Sequence, residues 1–227
     1  MLYADDTIIL AESDKELQNA LIGLDDYCKR WKLTVNENKT KVVIFSRGKV
    51  RKFPVFTVGT SKLEIVYNYD YLGVTINYNG KFNEATKNRY DKGCRSMYAM
   101  LNKIRDLNLP IDIQLKLFDS LVTPVITYGC EVWGCNHIDI IEKIHLRFCK
   151  IILSVKNSTN NVMVYGELGR YPIKCHIQCR ILSYWYKLIQ PKNKLSNIMY
   201  KLEFQMMHKQ LYDSTWLIYV RDCLNKL

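Results

Sequence analysis

Asp5 and Asp6 are adjacent carboxylates near the start of this 227-residue chain, in the run Tyr3-Ala4-Asp5-Asp6. Two like charges side by side at a strand end repel each other, and a divalent cation between them relieves the repulsion. Carboxylate oxygens suit magnesium, which commonly binds through one or two of them and takes its remaining ligands from nucleotide phosphates. A bare Asp-Asp pair also occurs as a solvated turn, and the four residues taken by themselves fit both readings. Thr7-Ile8-Ile9-Leu10-Ala11, a β-favouring apolar stretch, follows at once. Only Met1 and Leu2 come before, so the strand that should lead into the motif is nearly missing.

The elements around the pair are legible from spacing. The motif reads as a hairpin with Asp5-Asp6 at its tip and Thr7–Ala11 as its second strand. Ser13-Asp14-Lys15-Glu16 is a capping box. Leu17, Ala20, Leu21, Leu24, Cys28 and Trp31 then repeat at helical spacing, predicting a helix over 14–31 with its apolar stripe on a sheet. Short strands are expected at 33–35 and 41–46, with a turn at Asn36-Glu37-Asn38. Segments 53–58 and 62–67 flank Gly59-Thr60-Ser61 as a hairpin. Residues 71–76 alternate toward the tight-turn pair Asn79-Gly80.

From Asn83 the period becomes helical. Tyr90, Cys94, Met97, Leu101 and Ile104 predict one stripe, and Leu117, Phe118, Leu121 and Val122 a second, ended or kinked at Pro124. Ile140, Ile141, Ile144, Phe148, Ile151 and Ile152 make a third. Pro172 opens a helix carrying Ile173, Ile177, Ile181, Tyr184 and Leu188, and two short helices are expected near 195–207 and 214–226. The fold class is therefore α+β: antiparallel strands with a packed helix and hairpins over 1–81, then helical regions over 82–155 and 156–227.

The formal net charge is +11, which favours a polyanionic partner, nucleic acid or an anionic membrane. No apolar run approaches the ~20 residues of a membrane-spanning helix, and Asp5 and Asp6 interrupt any signal-peptide pattern. Lys39, Lys41, Arg47, Lys49, Arg51 and Lys52 form an acid-free basic run that reads as phosphate contact or as a solvated loop. Lys87, Arg89, Lys92, Arg95 and Lys103 add cations along the first long helix. The eight cysteines lack disulfide-framework density and CxxC zinc spacing. Buried, reduced thiols in an intracellular protein are expected, with Cys175-His176 and Cys179 the one grouping to check for a metal.

The order of these features carries a resemblance. Tyr3-Ala4-Asp5-Asp6 is similar to the catalytic palm motif of the reverse transcriptases of non-LTR (LINE-type) retrotransposons. Trp31, Leu33, Asn36, Lys39 and Thr40, leading into Phe45, resemble the palm motif that follows it. Tyr71-Leu72-Gly73-Val74 resembles the hairpin that grips the primer. Leu109-Pro110, Leu117-Phe118, Leu121-Val122, Pro124-Val125, Tyr128-Gly129 and Trp133-Gly134 resemble the helical thumb and the region after it. The resemblance runs from residue 1 to about 190.

It implies nucleotidyl transfer to a primer 3′ hydroxyl, with two Mg2+ ions, an RNA template, a DNA primer and deoxynucleotide triphosphates. Asp5 would ligate metal directly, with Asp6 helping to hold the metals and position the primer end. Lys39 would stabilise or protonate the departing pyrophosphate; an ordinary surface lysine is the equal alternative. Leu72 and Gly73 would let backbone approach the primer, or form a plain hairpin. Tyr3 would pack beside the primer terminus or in the core. The basic run and the cations of the first long helix would contact template-primer. The family draws a further aspartate and its fingers from earlier sequence. The expectation is thus an N-terminally truncated piece that does not polymerise by itself. A basic nucleic-acid-binding module without catalysis, or a relic open reading frame, are the alternatives.

Overall fold

The computed structural model describes residues 2–3, 5–46, 53–135, 138–190, 194–209 and 215–225, with the backbone only of Leu2, Tyr3, Lys194 and Thr215. The chain divides into two compact units, Met1–Lys81 and Phe82–Leu227. The first mixes one helix with small strand pairs and the second is helical, an α+β organisation.

In the first unit, helix α1 spans Asp14–Trp31, as its spacing predicts. The Ser13 hydroxyl accepts from the Glu16 N–H, and the Glu16 carboxylate accepts from the Glu12 N–H, one residue beyond the usual capping-box partner. Lys32, in the left-handed region at φ 54°, ends the helix by donating its N–H to Cys28 and Lys29 carbonyls. Leu21 faces a small core of Val42, Phe56, Val58 and Leu63, with Ile9, Leu17 and Val35 packed at its edge. The end of the expected stripe does not join this core: Trp31 is 62% exposed.

The strands are shorter than the apolar runs that suggested them. β1 (Leu2–Tyr3) pairs antiparallel with β2 (Asp6–Thr7), and β3 (Lys41–Val42) pairs with β6 (Glu64–Ile65) in parallel. β4 (Thr57–Val58) and β5 (Ser61–Lys62) form the expected hairpin around Gly59-Thr60. β7 (Asn68–Tyr71) and β8 (Val74–Asn77) form another. Residues 8–11, 33–35 and 43–46 are not strands, and Phe45 is exposed. A strand persists only where a neighbour completes its hydrogen bonds. Gln18 of α1 does this for β4 with a side chain, donating to the Thr57 carbonyl and accepting from the Thr57 N–H, each at 3.0 Å.

The second unit contains α2 (Asn83–Ile104), a 3₁₀ turn (Arg105–Leu107), α3 (Ile111–Leu121), α4 (Thr123–Ile126) and α5 (Cys130–Trp133). After them come α6 (Ile138–Ile152), α7 (Asn161–Glu167), α8 (Ile173–Ile189), α9 (Lys194–His208) and α10 (Thr215–Leu224). The buried face of α2 is rotated from the expected stripe. It carries Ala85, Arg89, Gly93, Met97 and Met100, while Tyr90, Cys94, Leu101 and Ile104 are half-buried. Gly93 explains the rotation, because a Cβ there would stand 2.2 Å from Ile126 Cγ2 and 2.9 Å from Ile144 Cδ1. The missing side chain lets α4 and α6 close onto α2.

The break near Pro124 separates α3 from α4, as expected, but Leu121 at the junction is 52% exposed. Ile151, also expected inside, is exposed, whereas His145 and Cys149 of the same helix are buried. α8 buries Ile173, Ile177, Ile181 and Leu188, following its periodicity. The Phe118 and Phe148 rings stack with centroids 4.2 Å apart, an arrangement that contributes about 1 kcal/mol beyond simple burial. Among the described residues no helix is long and apolar enough to cross a membrane. All eight cysteines are free, and they are not uniformly buried: Cys179 is exposed, and Cys94, Cys135 and Cys175 are intermediate.

Candidate functional site

The hairpin register decides where the paired carboxylates sit. Tyr3 pairs with Asp6 and Leu2 with Thr7, so the two-residue connection is residues 4 and 5. Asp6 thus belongs to β2, and Asp5 alone of the pair lies in the turn, one residue away from the expected Asp5-Asp6 tip. A two-residue connection is the common way to close a tight hairpin, and it sets this register. Both aspartates are exposed, and no ion pair among the described residues reaches either carboxylate. Carboxylates are hard oxygen donors of the kind magnesium takes. Among the described residues no group of three His, Cys, Asp or Glu side chains could hold a metal. That holds for Cys175, His176 and Cys179 as well.

Lys39 is exposed in the turn after α1. Its N–H donates to the Asn36 carbonyl at 3.1 Å, and its own carbonyl accepts from the Tyr69 hydroxyl at 3.4 Å. The turn that presents Lys39 is therefore tied to the β7–β8 hairpin. Tyr71 ends β7, and Leu72 and Gly73 form the tip, both at positive φ (46° and 77°). Two successive left-handed residues make the type of turn that matches strand twist, and Gly73 meets that need without strain. Lys41 is bound across the parallel pair to Glu64, 2.6 Å away, which neutralises the charge expected to meet phosphate. Arg47, Lys49, Arg51 and Lys52 lie outside the described residues, as does the Tyr3 side chain.

On α2 the expected cations separate. Lys87, Lys92, Arg95 and Lys103 are exposed, and no ion pair among the described residues involves them. Arg89 is buried, with its guanidinium 4.7 Å from the centroid of the Tyr128 ring. It is a packing element, because its helical position falls on the Gly93 side of α2 rather than the solvent side.

A polar network in the second unit was not foreseen. Arg170 donates to both Asp119 oxygens and, through Nε, to His145 Nε2 at 3.2 Å. An arginine can only donate, so His145 presents a lone pair on Nε2 and its proton on Nδ1. Nδ1 lies 3.3 Å from the Tyr165 hydroxyl, which donates to Glu142. Glu142 also accepts from the N–H groups of Ile173 and Lys174 at the start of α8. Burial pushes the Glu142 carboxyl up, but the nearby His145 ring and the hydrogen bonds from Tyr165 and the Lys174 N–H outweigh it, and the net direction is down. Burial and the Glu142 contact push the Tyr165 hydroxyl well above its ordinary range. The signal in the sequence was Glu142 and His145 at i, i+3 inside an apolar stripe.

Residues 1–76, which contain the carboxylate hairpin, the Lys39 turn and most of the β7–β8 hairpin, match a family model described as reverse transcriptase (RNA-dependent DNA polymerase). That segment is similar to reverse transcriptases. A putative uncharacterized transposon-derived protein of Caenorhabditis elegans, F52C9.6, is 31% identical over 142 residues, 59% of this chain and 48% of that protein. The RNA-directed DNA polymerase from mobile element jockey of Drosophila funebris is 24% identical, covering 69% of this chain and 18% of its own length. The probable RNA-directed DNA polymerase from transposon X-element of Drosophila melanogaster is 21% identical over 87% of this chain and 23% of its own. The chain spans less than half the length of each of these relatives. No solved structure matches it. The reverse-transcriptase match thus covers most of the first unit, and the X-element alignment, at 209 residues, is too long to fit within that unit alone.

Proposed function

We propose that this chain serves RNA-directed DNA synthesis, with Met1–Lys81 as the rear of a polymerase palm, residues 82–155 as a thumb-like region and residues 156–227 as a helical C-terminal region. The observation that carries the reading is the exposed Asp5-Asp6 pair on a two-residue hairpin, inside the segment that matches the reverse transcriptase family. Asp5 is assigned as the direct metal ligand and Asp6 as its support. Magnesium held there would supply charge stabilisation to nucleotidyl transfer at a primer 3′ hydroxyl. Lys39 is assigned to the departing pyrophosphate. Tyr71, Leu72 and Gly73 are assigned to the primer strand, with Tyr3 beside its end. Lys87, Lys92 and Arg95, together with Arg47, Lys49, Arg51 and Lys52, are assigned to phosphates of RNA template and DNA primer, with deoxynucleotide triphosphates as substrates.

Two carboxylates are fewer than a two-metal centre requires, and the described residues offer no cluster of three. The chain by itself is therefore expected to bind template-primer but not to extend it. Primer extension with magnesium, run on the chain and on Asp5→Asn, checks this; robust extension that Asp5→Asn abolishes would overturn the inactivity and leave the assignment of Asp5 standing. The exposed cations of α2 support a second reading, a nucleic-acid-binding module without catalysis. That reading requires duplex binding that weakens steeply with salt and is indifferent to Asp5→Ala.

A further inference from the structure

At the C-terminal end of α2, an open pocket of about 560 Å³ lies between that helix, the 3₁₀ turn, the start of α3 and Ile151 of α6. Its volume is in the range of small-molecule sites. Its apolar lining is Leu101, Ile104, Leu109 and Ile151. Its polar lining is Tyr98, Asn102, Arg105, Asn108 and Gln114, with no carboxylate. Tyr98 is 43% exposed, and its hydroxyl accepts from Arg147 Nη1 at 3.3 Å, which sets a cation beside it. Arg105 is exposed, and its Nη2 donates to Asn102 Oδ1 at 3.2 Å.

We propose that this pocket binds one unpaired nucleotide of a single-stranded nucleic acid, a proposal that rests on the nucleic-acid reading above. The Tyr98 ring offers a stacking surface for a base, a contact tolerant of base identity, and the aliphatic lining offers apolar contact. The carboxamides of Asn102 and Asn108 carry both donors and acceptors, the complement of a base edge. Arg105 in the lining and Arg147 beside the Tyr98 hydroxyl supply positive charge for a phosphate. On the α-helical wheel Arg95 and Asn102 fall on the same exposed face of α2, with Lys92 and Tyr98 to either side. A strand following those cations along the helix arrives at the pocket.

The test is fluorescence anisotropy of the full chain with a labelled single-stranded RNA 12-mer, a DNA 12-mer of the same sequence and an RNA–DNA duplex. Tyr98→Ala and Arg105→Gln should each weaken single-strand binding about tenfold, the loss of one stacked base or one charged contact, with duplex binding changed less than twofold. Tyr98→Phe keeps the stacking face and should bind as the unaltered chain does. Lys92→Gln with Arg95→Gln should weaken all three ligands. If duplex binding responds to the α2 pair but single-strand binding ignores Tyr98 and Arg105, the pocket proposal falls and the wider reading stands. If none of the three ligands binds, both fall. Thermal melting of each variant separates loss of fold from loss of contact.

Discussion

Arg170 grips Asp119 with two nitrogens, Nη1 at 3.0 Å and Nη2 at 2.5 Å, while its Nε donates to His145 at 3.2 Å. One planar guanidinium thus joins α3 to α6 from the loop between α7 and α8. Arg170→Gln should cost about 2 kcal/mol of stability, since it removes a bidentate charged contact and leaves Asp119 and His145 without their donor. Arg170→Lys should restore little of it, because an ammonium does not reproduce the planar fork. Urea unfolding monitored by circular dichroism measures both; full recovery in the lysine variant would contradict the geometric account.

Glu142 makes the stability of the same region dependent on acid. Its carboxyl is lowered in the folded chain, so it contributes stability that is fully present above the ordinary carboxylate range of about 4.3. That contribution fades as pH falls through the lower folded value. The stability gap between the unaltered chain and Glu142→Gln should be constant from pH 7 to about 5 and close below about 4. A gap that widened in acid would have the wrong sign.

Gly93 marks the closest approach of α2 to its neighbours. Gly93→Ala places a methyl group against Ile126 and Ile144 and should destabilise by about 1–3 kcal/mol, despite the gain in helix propensity. Pairing it with Ile126→Ala, which removes the clashing Cγ2, should cost less than the sum of the two single losses. Additive losses in the double variant would indicate that the contact is not the cause.

Thiol labelling should sort the cysteines by environment. Burial pushes the Cys130 and Cys149 thiols up to about 12, so neither presents thiolate near neutrality. Cys179 is exposed. At pH 8 in the folded chain, mass spectrometry after iodoacetamide should find Cys179 modified first and Cys130 and Cys149 protected until denaturant is added. Early modification of Cys149 would mean that α6 opens from its neighbours.

Helices with a regular stripe and a marked boundary were legible in the sequence. α1 follows Ser13 and the repeat from Leu17 to Cys28, and α8 follows Pro172 and the repeat from Ile173 to Leu188. The segments around Val43–Phe45 and Leu33–Val35 misled, because an apolar run becomes a strand only if another strand completes its hydrogen bonds. Among the candidate site residues, the sequence singled out Asp5 and Asp6 through motif order, not through any property of two carboxylates. Arg89 and Lys41 looked like free cations. Their partners, Tyr128 and Glu64, are 39 and 23 residues away along the chain, beyond what local pattern can reach.

By itself the sequence determined the α+β division near residue 82, the limits of the main helices, the net positive charge and the similarity to reverse transcriptases. These depend on local propensity, periodicity and motif order, which act over a few residues or survive as pattern. Only the tertiary structure decided which cations remain exposed, how Gly93 turns the buried face of α2, and that Asp119, Arg170, His145, Tyr165 and Glu142 form one network. Those outcomes depend on which distant groups meet, and the free energy of meeting is set by packing and desolvation in the folded chain.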